Sequence, residues 1–337
     1  MNLVRAELER LSARRFVQLM VVLLALAFAV TAATTLAGSH KPNADELSSA
    51  RAQAIQAREN MEATHQECLA RQNGAIPSSD VGDYFPADCS ELDPIRHDRL
   101  PIAADFLPGV FSFGQQALPL LYFLIAFLVL FGFLVGASYI GADLNSGGVV
   151  NLLLWRPRRL TVLAAKLGTL LGTVLVLALL ASLAYLATFW VIGQTAGLAG
   201  HLNGEFWRSL GAVHGRGLVL VLLATALGFA IATLGRHTSA ALGALAAYAV
   251  VWELGARLVL EIIDAPNSDL FMLSSHIGAW LSGGARFYDE QLCRGSTGSY
   301  CDGFYTLAWG PALLVLLVLT GGLTAAAFAV FRRRDLI

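Results

Sequence analysis

Residues 141–166 read G-A-D-L-N-S-G-G-V-V-N-L-L-L-W-R-P-R-R-L-T-V-L-A-A-K, a short polar and basic interruption between two long apolar runs. Asp143 has a side-chain oxygen that can accept hydrogen bonds from free N–H groups at a helix start. The glycine pair Gly147 and Gly148 permits the sharp change of direction that comes first. The stretch therefore predicts that one apolar segment ends here and that a new, short helix begins near residue 149.

The new helix is predicted to have one apolar face, because three of its residues recur at helical spacing: Val150, Leu153 and Leu154. Pro157 ends it, since the residue before a proline is pushed out of the helical region. Three basic residues surround this break: Arg156, Arg158 and Arg159. We interpret the segment as a surface on the inner side of a membrane that meets another protein; an ordinary basic loop between two spans is the alternative.

The composition indicates an integral membrane protein. Of 337 residues, 56% are hydrophobic and 14% are charged, and the mean hydropathy is +0.62. The net charge of −1 and the absence of long basic runs give no electrostatic support for binding nucleic acid. A multi-pass protein of the cell membrane, in contact with the lipid bilayer, is the expected class.

The apolar runs predict an all-α fold with six spans. An amphipathic helix over residues 1–15 is expected at the cytoplasmic interface, and a secretory signal peptide is the competing interpretation of this end. The predicted spans are 16–37, 117–140, 164–192, 218–234, 240–260 and 307–331, with the basic loop over 141–163. Two polar excursions are predicted outside the membrane: a subdomain over 38–116 and a segment over 261–306.

The distribution of Lys and Arg predicts that both termini are cytoplasmic. With this orientation the inner side carries most of the basic residues near the spans: Arg5, Arg10, Arg14, Arg15, Arg156, Arg158, Arg159, Lys166, Arg236 and Arg332 to Arg334. The outer excursions are richer in acids. This bias follows the positive-inside rule, and the reverse orientation would place the C-terminal arginine run outside.

All four cysteines fall in the excursions predicted to lie outside. Two local disulfides, Cys68–Cys89 and Cys293–Cys301, are the economical pairing out of the three possible. A metal site is the rival interpretation, but the chain has no C-x-x-C or H-E-x-x-H spacing, and we expect none.

The sequence lacks the motifs of an enzyme. Its only lysines are Lys41 and Lys166, and neither stands in a phosphate-binding loop, so no catalytic residues are assigned and any nucleotide chemistry must come from a partner. The fifth span carries an unusual triplet at steps of four residues: Glu253, Arg257 and Glu261. These charges are expected to pair in sequence along one face, either lining a translocation path or forming a solvated ladder beyond the end of the span.

Together, these features resemble the permease subunit of an ABC-2 type ABC transporter. The resemblance rests on Glu7-Leu8 in the first helix, six spans, and the motif of an acid, a glycine pair, an apolar ridge, a proline with arginines and a following lysine: Asp143, Gly147-Gly148, Leu153-Leu154, Pro157-Arg158-Arg159 and Lys166. It departs from the usual pattern in having Asp for Glu, Gly148 where Thr is frequent, and Arg156 before the proline.

The resemblance implies a transmembrane permease that is not itself an enzyme and binds no cofactor. It implies two separate ATPase subunits that carry ATP and Mg, a second permease copy or a homologous permease, and a coupling helix after Gly148 that enters a groove on the ATPase. The resemblance also implies an outer re-entrant segment within 261–306, between the last two spans, because the apolar stretch 270–281 is too short to cross. Outward transport of an unidentified substrate is the expected function. A sensor or immunity permease that binds an external peptide or antibiotic is the alternative; a membrane-embedded enzyme using Glu253 and His276 is the weaker one.

Overall fold

The computed structural model describes residues 3–73, 89–94, 100–146, 158–293 and 303–333. It is mostly helical, at 82%, which confirms the helical class. The two-stranded sheets described below were not predicted. The first helices are α1 (Leu3–Ser12), α2 (Arg15–Ala37) and α3 (Ala44–Gln72).

Six more helices follow among the described residues: α4 (Phe113–Asn145), α5 (Arg159–Thr195), α6 (Gly204–Gly235), α7 (Thr238–Ile262), α8 (Leu273–Ser282) and α9 (Trp309–Arg333). All of them except α8 are long. Six of the described helices are long and apolar enough to cross a membrane: α2, α4, α5, α6, α7 and α9. The predicted number of spans is confirmed. Helix α3 is as long as several of these, but its polar composition excludes it from the set.

Helix α6 extends further than the predicted span, which was placed at 218–234. It begins at Gly204 because the side chain of Asn203 accepts a hydrogen bond from the backbone N–H of Phe206 and caps the first turn. Polar residues before the predicted span, including Glu205, therefore lie within the helix. Hydropathy locates the apolar part of a helix, whereas capping decides where the helix starts.

Helix α3 and its return segment form one compact part of the chain, residues 31–116 with 188–202. Helix α3 begins with a capping box: Asn43 accepts from the backbone N–H of Glu46, whose carboxylate accepts from the backbone N–H of Asn43. The small-residue face of α3 packs on the return segment, in a core of Ala50, Leu107 and Val110 with Leu47, Ala103 and Phe106 beside it. The apolar return segment therefore covers the small-residue face of α3.

Two short strands also belong to this part. Strand β1 (Phe111–Ser112) pairs in parallel with β2 (Gly197–Leu198), which brings the start of α4 beside the end of α5. Gly197 permits this approach, since a Cβ there would overlap the carbonyl oxygen of Phe111.

The other compact part consists of residues 1–30, 117–187 and 203–337. Within it, α4 and α6 pack with their backbones in close contact. A Cβ on Gly136 would overlap the carbonyl oxygen of Thr225, and a Cβ on Gly228 would overlap the carbonyl oxygen of Phe133. The spacing of Gly132 and Gly136 therefore serves this helix contact, as small residues do where membrane helices approach closely.

Helix α7 changes its geometry in the middle, where Tyr248–Ala256 is π-helical. It is followed by α8 and by an antiparallel hairpin of β3 (Gly284–Tyr288) and β4 (Phe304–Ala308), in which Phe287 lies opposite Tyr305. At ten residues, α8 is too short to cross a bilayer. It packs against α6 and α9, and Trp280 of α8 donates a hydrogen bond to the carbonyl of Arg216.

Candidate functional site

The main candidate site lies where α1 meets the C-terminal end of α4 and the N-terminal part of α5. Glu7, in the middle of α1, is 1% exposed, although α1 was predicted to be an amphipathic helix at the cytoplasmic interface. Leu11, one turn later, is also buried. The buried face of α1 therefore carries a carboxylate. This group requires partners, because moving an isolated charge from water into the protein interior has a large free-energy cost.

Lys166 of α5 provides the main partner. Its ammonium nitrogen Nζ lies 2.7 Å from Oε2 of Glu7 and 2.8 Å from Oδ2 of Asp143, and its side chain is also 1% exposed. The hydroxyl of Tyr139 donates to the same Oε2 of Glu7. The ammonium is also 5.1 Å from the centre of the Tyr139 ring, within range of a cation–π interaction.

Arg14, between α1 and α2, closes the network from the other side. Its guanidinium pairs with Oδ1 of Asp143 and donates from Nη1 to the backbone carbonyl of Tyr139 at 2.8 Å. A second donation from Nη1 reaches the carbonyl of Ser138 at 3.2 Å. Ser138, Tyr139 and Asp143 all lie near the C-terminal end of α4. One guanidinium therefore satisfies a carboxylate and two backbone carbonyl groups at this helix end.

We name these five residues the basal ion network: Glu7, Arg14, Tyr139, Asp143 and Lys166. It holds two carboxylates and two cations, so its charges balance, and each charged group has at least one partner of opposite sign. A buried set of this kind is stable when it is complete and costly when one member is lost. It therefore holds α1, the end of α4 and the start of α5 in one arrangement.

The basal ion network stands at the foot of the basic loop. Asp143 is near the last turn of α4 and Lys166 is in the second turn of α5, and their ion pair joins the two helices just before and just after the loop. Of the predicted coupling residues, Arg158 is exposed and Arg159 begins α5. The others lie outside the described residues: Gly147, Gly148, Val150, Leu153, Leu154, Arg156 and Pro157.

The charged triplet of the fifth span does not form the ladder that we expected. Arg257 pairs with Asp269, with Nη2 and Oδ1 3.3 Å apart. Glu253 accepts a hydrogen bond from the Tyr248 hydroxyl at 2.7 Å and one from the backbone N–H of Ser274 at 3.3 Å. The π-helical turns alter the spacing between Glu253 and Arg257 on which the prediction relied, because steps of four residues in a π-helix do not return to the same face.

Glu253 instead holds the start of α8. The Tyr248 hydroxyl, which donates to Glu253, also accepts from the backbone N–H of Leu273 at 3.1 Å. Trp252 donates to the carbonyl of Phe271 at 3.1 Å. His276, considered with Glu253 as a catalytic pair, is buried with Nδ1 2.9 Å from the carbonyl of Met272. The two residues therefore have separate partners.

Sequence reasoning missed Arg14 and Tyr139 as site residues and named Glu7 only through the family resemblance. A usable signal was present: Lys166 is a lysine in an apolar helix that has no Asp or Glu of its own. Such a lysine needs a carboxylate from another element, and Glu7 and Asp143 are among the acids expected on that side of the membrane.

The Cys68–Cys89 disulfide is present, with the two Cα atoms 5.7 Å apart. Cys293 is also disulfide-bonded, and its predicted partner Cys301 lies outside the described residues. The first bridge ties the end of α3 to the turn at Cys89–Glu91.

Six apolar helices and a buried ion network at the foot of a basic loop define a helical multi-pass membrane protein. The profile of the family described as ABC-2 family transporter protein matches residues 1–336. The chain therefore belongs to that family, as the sequence motif indicated. Membership makes it a transmembrane component rather than a catalytic subunit and implies ABC ATPase subunits as partners. No match was found among curated proteins or solved structures.

Proposed function

We propose that this chain is the permease subunit of an ATP-driven exporter. The observation that carries the proposal is the family match across residues 1–336. ATP and Mg would be bound by separate ATPase subunits, and a second permease copy or a homologous permease would complete the path. The cell membrane is the proposed location, with both termini on the cytoplasmic side because the basic residues collect there.

The basal ion network supports a role for the loop in coupling. A helix that enters an ATPase groove transmits force only if its base is stiff. Here Asp143 and Lys166 join the two ends of the loop through a 2.8 Å ion pair, and Glu7 adds α1 to the same unit. Movement imposed on the loop would therefore move α4, α5 and α1 together.

The test is co-purification of the permease with its soluble ATPase subunit. Changing Val150, Leu153 and Leu154 to Glu should abolish the association, because the apolar face proposed to enter the groove would become charged. A matched control changes two exposed apolar residues of the insertion to Glu: Ile55 and Leu100. Retention of the ATPase by the triple variant would remove the coupling role from this loop.

A sensor permease is the second candidate, and the compact insertion favours it. Residues 31–116 have their own core and a disulfide, as a folded ligand-binding element would. In reconstituted vesicles, an exporter shows ATP-dependent flux of the compound that stimulates its ATPase. Stimulated hydrolysis without flux of that compound would favour the sensor.

A further inference from the structure

Two cavities lie side by side where α7 ends and the β3–β4 hairpin begins. The first has a volume of about 330 Å³ and the second about 560 Å³, which is the size range of small-molecule sites. Arg257 and Asp269 line both of them. Their ion pair is therefore the partition between two spaces at the same end of the bundle.

The smaller cavity is polar and carries excess negative charge. Its charged lining consists of one cation, Arg257, and four acids: Glu261, Asp264, Asp269 and Asp289. The carboxylate of Asp289 accepts from the backbone N–H groups of Asn267 and Gln291, at 2.7 and 2.9 Å, which fixes its position without neutralising it. Glu261 is exposed and has no ion pair or side-chain hydrogen bond within the described part of the chain.

Tyrosine rings complete the lining of the smaller cavity. Tyr288 and Tyr305 face it from neighbouring strands of the hairpin. Burial raises the pKa of Tyr305 to about 12, and the negative charges of Asp269 and Asp289 add to the increase. Carboxylates beside aromatic rings are the surroundings that organic ammonium groups favour, since ion pairing and cation–π attraction act together.

A metal ion suits the smaller cavity poorly. Among the described residues there is no group of three or more acidic, His or Cys side chains that could hold one. The acids are spread around a space much larger than an ion, which a bulky organic cation can fill.

The larger cavity is mainly apolar in character, with a few hydroxyl groups. Its lining includes Tyr122, Leu281 and Phe287, with small residues of α8 between them: Ser274, Ser275, Gly278 and Ser282. Small side chains along α8 leave room for a chain or ring that extends from the neighbouring space. Such a lining suits an apolar group better than a second charge.

We propose that the two cavities form one binding site for an organic cation with an apolar portion, its ammonium group in the smaller cavity and its apolar portion in the larger. The inference rests on the proposed function insofar as this ligand is the exported or sensed compound. Arg257 has 55% of its side chain exposed, so it can turn toward solvent while the ammonium group takes its place beside Asp269. The arginine then competes with the ligand for one carboxylate.

This competition gives opposite expectations for two variants. Glu261→Gln removes an attractive charge and should weaken binding of the cation by about threefold to tenfold, while Arg257→Gln removes a competitor and should strengthen it by a similar factor. Glu59→Gln is the matched control, because Glu59 is an exposed acid that does not line either cavity.

The experiment measures equilibrium binding to the full-length permease in lipid discs, without ATPase or nucleotide. The lipid is phosphatidylglycerol, which has no ammonium group. The probes are hexyltrimethylammonium, hexan-1-ol and hexane-1-sulfonate, which share a chain and differ in charge. The expected result is binding of the cation alone, with the two opposite shifts. Equal binding of all three probes, or the same affinity in the Glu261→Gln and Glu59→Gln variants, would overturn the proposal.

A competition measurement distinguishes two sources of the ligand, a lipid headgroup and a free compound. Competition by glycerophosphocholine would support the ammonium site and assign it to a lipid headgroup; failure to compete would support it and assign it to a free compound. Because the binding assay needs no ATPase, its failure leaves the co-purification test of the permease function intact. Loss of the ATPase partner likewise leaves the binding result valid.

Discussion

The ammonium group of Lys166 lies 2.7 Å from the carboxylate of Glu7, a residue 159 positions earlier in the chain, and both side chains are 1% exposed. This pair joins the first helix to the third span. Because both side chains are buried, their charges depend on each other and on neighbouring charged groups for compensation, and not on water. These neighbours are Asp143 beside Lys166 and the half-exposed Arg10, which lies 3.6 Å from Glu7.

Lys166→Met should destabilise the protein by about 3–5 kcal/mol, because it leaves Glu7 and Asp143 with less compensation in a buried place. The measurement is thermal unfolding of the purified protein. Lys41→Met is a matched control, since Lys41 is the only other lysine and is exposed. The double variant with Glu7→Gln should recover part of the loss. An effect of Lys166→Met no larger than that of Lys41→Met would contradict the role of the network.

The same two lysines allow a chemical test of burial. An amine-acylating reagent should modify Lys41 in the folded protein and Lys166 only after unfolding, with peptide mass spectrometry as the measurement. Rapid modification of Lys166 in the folded protein would mean that the network opens readily. Both lysines have ordinary reagent access once the chain is unfolded, so each serves as the reference for the other.

Two glycine pairs with identical spacing should respond differently to substitution. Gly136→Ala places a methyl group against the carbonyl oxygen of Thr225, and we expect a cost of about 1–3 kcal/mol from overpacking. Gly172→Ala is the matched control, because a Cβ there meets no atom of the described residues within 4 Å. It should be neutral or stabilising by up to about 1 kcal/mol, since alanine favours a helix more than glycine. Equal unfolding temperatures for the two variants would refute the close contact of α4 with α6.

These pairs also show what the sequence could predict. The number of spans was predictable, because about twenty apolar residues are required to cross a bilayer and six such runs stand out. The spacing of Gly132 and Gly136 equals that of Gly168 and Gly172, yet only the first pair meets another helix. Spacing describes one helix, whereas contact depends on which helix lies opposite.

For the candidate site, the sequence likewise predicted some of the residues but not their contacts. Asp143 and Lys166 were identified through the motif, but their mutual contact and the burial of Glu7 depend on how three elements meet. The charged triplet failed for a local reason, since a pattern read at an ordinary helical period does not anticipate π-helical turns at Tyr248–Ala256. Glu253 and Arg257 instead contact a segment that follows more than ten positions later.

Glu253→Ala should loosen the start of α8, because it removes the acceptor for the Tyr248 hydroxyl and for the backbone N–H of Ser274. We expect a cost of about 1–3 kcal/mol, typical of part-buried groups left unpaired. Amide hydrogen exchange at Leu273 and Ser274 should become faster. Glu261→Ala is the control and should stay within about 0.5 kcal/mol of the wild type, as for an exposed residue. Unchanged exchange at both amides would show that Glu253 does not hold this helix.

Removal of the Cys68–Cys89 bridge should affect the insertion and leave the spans folded. The bridge closes a loop between residues 21 positions apart, and its loss should cost about 2–4 kcal/mol of local stability. Both sulfur-bearing residues are almost fully buried, so the Cys68→Ser and Cys89→Ser double variant also places two hydroxyls in a covered position. Limited proteolysis should cut α3 sooner in this variant, while thermal unfolding of the apolar helices should change little.

Cys293→Ser is the matched control, since it removes a disulfide outside the insertion and should leave cleavage of α3 unchanged. Labelling of Cys68 and Cys89 by a maleimide without reductant, or equal cleavage of α3 in both variants, would show that this bridge does not hold the insertion together.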